Sequence, residues 1–150
     1  MTNWQPVLAQ LRSEFPDLEL MPPAPVTTID SAAAALGGIP DDLGELYRAT
    51  NGLSLGWFAI FPVYVESRPK QTWNSISRAN QPEHVPGAAG EWPGLLSDFL
   101  IFASFAGPGF AAFDRKHWRI WYFQDDELHE TDLDLAGFIR TVAREVRDFG

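Results

Sequence analysis

The 150-residue chain is predicted to fold as an α+β domain: a central, mostly antiparallel sheet preceded by helices, with a C-terminal helix packed back against it. Three observations carry that expectation. Thr28 to Gly52 reads as a short helix, a Gly-Gly break, a second helix and a stop. Phe99 to Phe123 reads as consecutive strands rich in aromatic residues. Leu135, Phe138, Ile139, Val142, Val146 and Phe149 recur at i, i+3, i+4, i+7, i+11 and i+14, the stripe of an amphipathic helix.

In chain order, Trp4, Val7, Leu8, Leu11 and Phe15 share one face of a helix that begins near Asn3, a good N-cap, with Pro6 tolerated in the first turn. Pro16, Pro22, Pro23 and Pro25 then favour extended backbone, so residues 1–26 form a helix plus a Pro-rich connector and the main domain spans 27–150. Leu43, Leu46 and Tyr47 put an apolar stripe on the next helix, with Pro40 in its first turn and Asn51-Gly52 as a left-handed stop. Trp57 to Phe61 is a strand. Glu66 to Ala79 is read as a helix that turns Trp73 and Ile76 inward, and Gln81 to Gly94, rich in proline and glycine, as a loop. Phe99 to Phe105 is too uniformly apolar for a half-exposed strand and belongs in the middle of a sheet with both faces covered. Phe110–Phe113 and Trp118–Phe123 make a hairpin with its tip at Asp114 to His117. Thr131 or Asp132 caps the last helix, whose Arg140, Arg144 and Arg147 suit the negative end of its dipole.

Ile39-Pro40, Leu46-Tyr47, Asn51-Gly52 and Glu66, followed by Phe99 to Phe105, Phe113-Asp114 and the helix start at Leu135 to Phe138, occur in an order that resembles the SUKH superfamily. The resemblance covers roughly Thr28 to Val146 and makes 27–150 a SUKH-like (Smi/Knr-like) domain. It implies the same α+β arrangement and a binding role, either as a bacterial toxin-immunity protein or as a regulatory module like the fungal cell-wall synthesis regulator.

Composition independently narrows the function classes. A 45% hydrophobic, 13% aromatic chain of this length supports one domain with a sizeable core. Its apolar runs fall short of the roughly 20 residues that cross a bilayer, and Met1-Thr2-Asn3-Trp4 lacks the parts of a signal peptide, so a cytoplasmic location is expected. The absence of cysteine excludes disulfides, thiolate metal sites and cysteine nucleophiles. The net charge is −9, with no Lys or Arg between Ser13 and Tyr47 or between Ile120 and Ile139. Nucleic acid and anionic membranes repel such a surface, and a basic protein partner suits it. No sequence feature sets an oligomeric state.

Gly52-Leu53-Ser54-Leu55-Gly56 matches the nucleophile-elbow pattern, with Asp114 and His117 downstream, yet an elbow needs a strand before Ser and a helix after it, whereas here the order is reversed. Asp125, Asp126, Glu127, His129, Glu130, Asp132 and Asp134 lack the register of an EF-hand loop and read as a solvated turn. His84, His117 and His129 have no metal-ligand spacing, and no phosphate-binding glycine motif occurs, so no cofactor, metal or catalytic residue is assigned. Trp57, Trp118 and Trp121 fall in strands and read as packing residues, while Trp73, in a polar segment, and Trp92, in the Pro/Gly loop, are candidates for surface anchors.

These readings favour a non-enzymatic protein-binding domain with an acidic surface, and the SUKH resemblance implies an immunity protein that occludes a cognate toxin, often a nuclease. The interface residues expected are Asp41, Asp42, Glu45 and Glu66 near the sheet edge, Asp125 and Asp126 as a second patch, and Trp73 and Trp92. The alternatives are a general regulatory or scaffolding module of the same fold, and a small hydrolase using Ser54 or the carboxylate cluster.

Overall fold

The structure, a computed structural model, describes residues 2–84, 94–105, 109–125 and 127–149. Seven strands form one antiparallel sheet whose spatial order follows the chain: β1 (Glu19–Leu20), β2 (Leu53–Leu55), β3 (Phe58–Ile60), β4 (Phe99–Ser104), β5 (Phe110–Asp114), β6 (Ile120–Gln124) and β7 (Glu127–Glu130). Helices α1 (Trp4–Glu14), α2 (Val26–Ala35) and α3 (Asp41–Ala49) come mostly before the sheet, α4 (Ile76–Ala79) and α5 (Leu95–Asp98) between β3 and β4, and α6 (Leu135–Phe149) after it. The α+β class and the closing helix are therefore as the sequence predicts.

Strand β4 organises the sheet. Its four middle residues are buried, and they divide between two apolar clusters. Leu100, Phe102 and Ala103 join the main core, where Phe102 lies 4.3 Å from Phe113 and 5.8 Å from Phe138 of α6, centroid to centroid. Ile101 joins a smaller cluster with Leu95, Phe110, Ala112 and Phe123. A shift of register between Ile101 and Ala103, against Ala112 and Ala111, makes Phe102 a bulged residue. The bulge lets two successive residues, 102 and 103, serve the same core.

The main core is covered by α1, α2, α3 and α6. Leu43, Leu46 and Tyr47 are wholly buried, as are most of the large residues on the α6 stripe. Burying each such side chain stabilises the fold by about 1.5–3 kcal/mol. By contrast, Arg144 and Arg147 reach Glu14 of α1 at 3.8 and 3.3 Å across partly exposed surface, where an ion pair contributes about 0–1 kcal/mol. Apolar packing thus holds α6 in place, and the arginines are bound within the fold. Phe149 ends the stripe 86% exposed.

Several expectations change. The stretch 66–79 is not one helix: Thr72, buried, accepts from Val65 N–H at 2.9 Å and donates to the Arg68 carbonyl at 2.8 Å, closing residues 65–72 into a loop. Only Ile76–Ala79 is helical, capped by Ser75, whose Oγ accepts from Arg78 N–H at 3.1 Å. Ile76 is buried as expected, but Trp73 is 60% exposed rather than turned inward. The last helix is capped by Asp134, which accepts from Gly137 N–H at 2.7 Å, while Thr131 donates to the Ile120 carbonyl. The N-terminal connector supplies β1, and part of the presumed solvated turn is the edge strand β7. Charge on β7 hid its strand character, and charge is a common feature of edge strands.

Asn51-Gly52 does more than stop α3. Only Gly52 is left-handed, with φ +91°, and a Cβ there would lie 2.6 Å from the Ile60 carbonyl oxygen. Asn51, 1% exposed, uses its carboxamide as a strand would: Nδ2 donates to the Val63 carbonyl at 3.0 Å and Oδ1 accepts from Val63 N–H at 2.8 Å. Asn51→Ala is expected to cost about 2–4 kcal/mol by leaving both Val63 groups unpaired in the interior. Gly52→Ala is expected to cost at least about 3 kcal/mol, from strain and overlap together. Urea denaturation of the two variants measures both losses.

Candidate functional site

The carboxylates expected at an interface have different fates. Asp42 accepts from Thr2 N–H and Thr2 Oγ, both at 3.2 Å, and its backbone carbonyl accepts from Trp4 Nε1, so it anchors the N-terminal segment to α3. Asp41 is exposed and Glu45 half-buried; among the described residues neither has an ion pair. Both lie on a helix packed with α1 and α2 rather than at a sheet edge, because Leu43, Leu46 and Tyr47 turn the opposite face of α3 into the core. Glu66 is exposed in the 65–72 loop, and Asp125 is exposed at the β6–β7 turn with φ +54°. Asp126 and Trp92 lie outside the described residues.

Closure of the 65–72 loop by Thr72 brings its two flanks together, leaving Tyr64 and Trp73, 40% and 60% exposed, on either side of the closure. The Arg78 guanidinium lies over the Trp73 ring, 5.4 Å from its centroid. Exposed aromatics of this kind serve as interface anchors. Glu66 thus lies in the loop that Tyr64 and Trp73 flank, Asp41 and Glu45 lie on α3, and Asp125 at the β6–β7 turn. Tyr64 was missed because the contact that closes the loop pairs residues 65 and 72 through a side chain, and no periodicity records that.

The structure also contains an aromatic pocket. A cavity of about 180 Å³ lies between α6 and the sheet, walled by half-buried Trp57, Phe105 and Tyr122, with Phe138 buried beneath and Gln124 and Glu145 exposed at its mouth. Trp57 and Phe105 meet edge to face at 6.1 Å, and Tyr122 is backed by His129 at 4.9 Å. Asp125 follows Gln124 directly. Phe138, Val142 and Glu145, at i, i+4 and i+7, show one face of α6 lining the pocket. That spacing is readable in the sequence, but the approach of Trp57 to Tyr122 depends on strand order.

The tested chemistries find no assembly. Ser54 lies within β2, opposite Glu19 and Ala59, and its Oγ is 3.5 Å from Glu19 Oε2, so it is not on a strand-to-helix elbow. Among the described residues no group of three or more His, Asp or Glu side chains is arranged to hold a metal ion. Nor does any helix among them have the length and apolarity to cross a membrane. A wider depression at the β5–β6 tip is lined by Asp98, Asp114, His117, Trp121 and Glu130. Two of its carboxylates are engaged: Glu130 pairs with Arg119 at 2.9 Å, and Asp114 accepts from His117 N–H, Arg119 N–H and Trp121 Nε1 at 2.6, 3.1 and 3.1 Å.

Arg115 braces this tip from within. Its side chain donates to the Leu36 carbonyl at 2.8 Å and to the Leu96 carbonyl at 3.2 Å, tying the hairpin to the α2–α3 link and to α5. Burial lowers its pKa without threatening its charge. The hairpin expected at Asp114–His117 is thus a rigid structural tip, with Trp118 at φ +56°.

No family model, curated protein or solved structure matches this chain.

Asp114 also sets an acid dependence. Partial burial raises its pKa, but the donors from His117, Trp121 and Arg119, with the charge of His117, outweigh that and leave it below the usual carboxylate value. A depressed folded-state pKa stabilises the fold above the unfolded value of about 3.9, and the contribution is lost as pH falls through the folded value. Thermal midpoints measured from pH 6 down to 2 are expected to fall less steeply for Asp114→Asn than for the parent chain below about pH 4.

Proposed function

We propose that this chain is a non-enzymatic protein-binding domain, an immunity protein of the SUKH kind that neutralises a basic, often nucleolytic, toxin by covering its working surface. The observation that carries the reading is the set of carboxylates left without a cation among the described residues: Asp41, Glu45, Glu66, Asp125 and Glu145 have no ion pair, while Glu14, Asp42 and Glu130 are engaged within the fold. With a net charge of −9, such a surface speeds encounter with a basic protein and competes with the phosphates that a nuclease grips. The exposed Tyr64 and Trp73 add the apolar contacts that charge alone does not provide. The resemblance of the ordered motifs from Ile39-Pro40 to Leu135–Phe138 supports the family assignment, which is part of the same proposal.

Capture from the source cell with the tagged protein, at low salt and again near 0.5 M, tests the reading, because salt shortens the screening length to a few ångströms. One basic partner, held at low salt and lost at high salt, is the expected result. Asp41→Lys with Glu66→Lys, both at exposed positions, should weaken that capture by roughly tenfold or more while leaving the thermal midpoint within about 2 °C, since like charges across an interface are repulsive and exposed substitutions cost little stability. Several partners, or one held equally at both salts, would favour the regulatory or scaffolding module instead.

A further inference from the structure

The geometry points to the pocket between α6 and the sheet as a receptor for an organic cation: a guanidinium or alkylammonium head on a short aliphatic stem. Three half-buried aromatic side chains, Trp57, Phe105 and Tyr122, wall it, with Phe138 as its floor. Aromatic faces attract cations through the negative potential of their π systems, and the attraction is greater where water is partly excluded. The lining contains no Lys, Arg or His, and its one ionisable carboxylate, Glu145, has no ion pair among the described residues.

Glu145 is set apart from its neighbours on α6. Arg144 and Arg147, on the side toward α1, turn to Glu14, whereas Glu145 lines the mouth of the cavity. The polar groups also leave the pocket available: Thr141 donates to the Gly137 carbonyl at 2.8 Å and Thr131 to that of Ile120 at 2.8 Å, so neither hydroxyl crosses the opening to pair with Glu145.

Size limits the ligand. At about 180 Å³ the cavity is below the roughly 300–1,000 Å³ of sites for drug-sized molecules, too small to enclose a nucleotide or an oligosaccharide and with room for one small head group and its methylenes. An anionic ligand would meet the Glu145 carboxylate; a neutral apolar one would leave it unused. The same chemistry is presented by a free alkylammonium or guanidino metabolite and by an Arg or Lys side chain of a basic partner. Only the second source rests on the protein-binding reading above.

The test is a titration of the full-length protein with n-butylguanidinium, followed by the Trp57 indole N–H resonance, with neutral n-butylurea as the control. Saturable movement with the cation, at least about threefold stronger than with the urea and weakened roughly three- to tenfold by Glu145→Gln, is expected for a cation–π site with one carboxylate. Glu145→Gln changes an exposed side chain without an ion pair, so its fold is checked by the unchanged remainder of the spectrum. Trp57→Leu, which removes the ring and with it the reporter resonance but keeps an apolar wall, is followed by titration calorimetry and should abolish the preference for the cation. Equal response to the urea, no saturable movement, or insensitivity to Glu145→Gln would overturn the inference. Where the cation binds, capture of a basic partner lost in Glu145→Gln assigns the head group to that partner; capture retained assigns it to a free ligand. Capture retained without any binding of the cation rejects the pocket while leaving the protein-binding proposal intact.

Discussion

The fold depends on satisfying backbone groups where strand β3 runs out. Residues 47–52 meet two other segments there. Asn51 pairs with Val63 in both directions, Tyr47 donates its hydroxyl to the Phe61 carbonyl at 2.7 Å, and Thr50 Oγ donates to the Met21 carbonyl at 2.8 Å. Backbone bonds from Ala24 to Tyr47 and from Asn51 to Pro22 complete the junction. Burial pushes the Tyr47 phenol up, so it stays a neutral donor. A buried amide or carbonyl without a partner costs on the order of 1–3 kcal/mol, which is a large fraction of a domain's net stability, so these side chains take over the work of a strand. Asn80 repeats the device farther along: its carboxamide accepts from Ile101 N–H and donates to the Ile101 carbonyl, both at 2.8 Å, where β4 extends beyond its pairing with β3.

That junction also positions the surfaces that carry function. Val63 held by Asn51 fixes the start of the 65–72 loop, and Thr72 fixes its end, so Tyr64 and Trp73 stand on a segment that is irregular yet internally bonded. Irregular backbone of this kind displays side chains that a helix or strand would direct into the core. On the other side of the molecule, the β2–β3 turn carries Trp57 toward α6, where a Gly56 with φ +55° lies so close to Val146 that a Cβ would be 2.8 Å from its Cγ1. Trp57 can line the pocket because the turn beside it has no side chain to separate strand from helix.

Electrostatics divides the carboxylates into structural and available groups. Asp42, Asp114 and Asp134 each accept backbone N–H bonds and fix a segment end, and Glu14 gathers Arg144 and Arg147 between α1 and α6. A total charge cannot reveal this division, since residues one position apart have opposite fates: Asp42 is bonded, while Asp41 has no ion pair among the described residues. The charge that remains available is therefore smaller than −9 suggests and is displayed in separate places.

From the sequence alone the α+β class, the closing helix and the two-faced burial in the middle of Phe99 to Phe105 were legible, because each rests on a local pattern of apolar residues, periodic in the helix and unbroken in the strand. The Asn51-Gly52 junction was legible as a stop but not as a hydrogen-bonding hub. Strands β1 and β7 and the broken helix at 66–79 were decided only by tertiary structure, since short pairings and side-chain-to-backbone bonds leave no period. The aromatic pocket belongs to the same class. Trp57, Phe105, Tyr122 and Glu145 are far apart in the chain, and only the order of strands under α6 makes them neighbours.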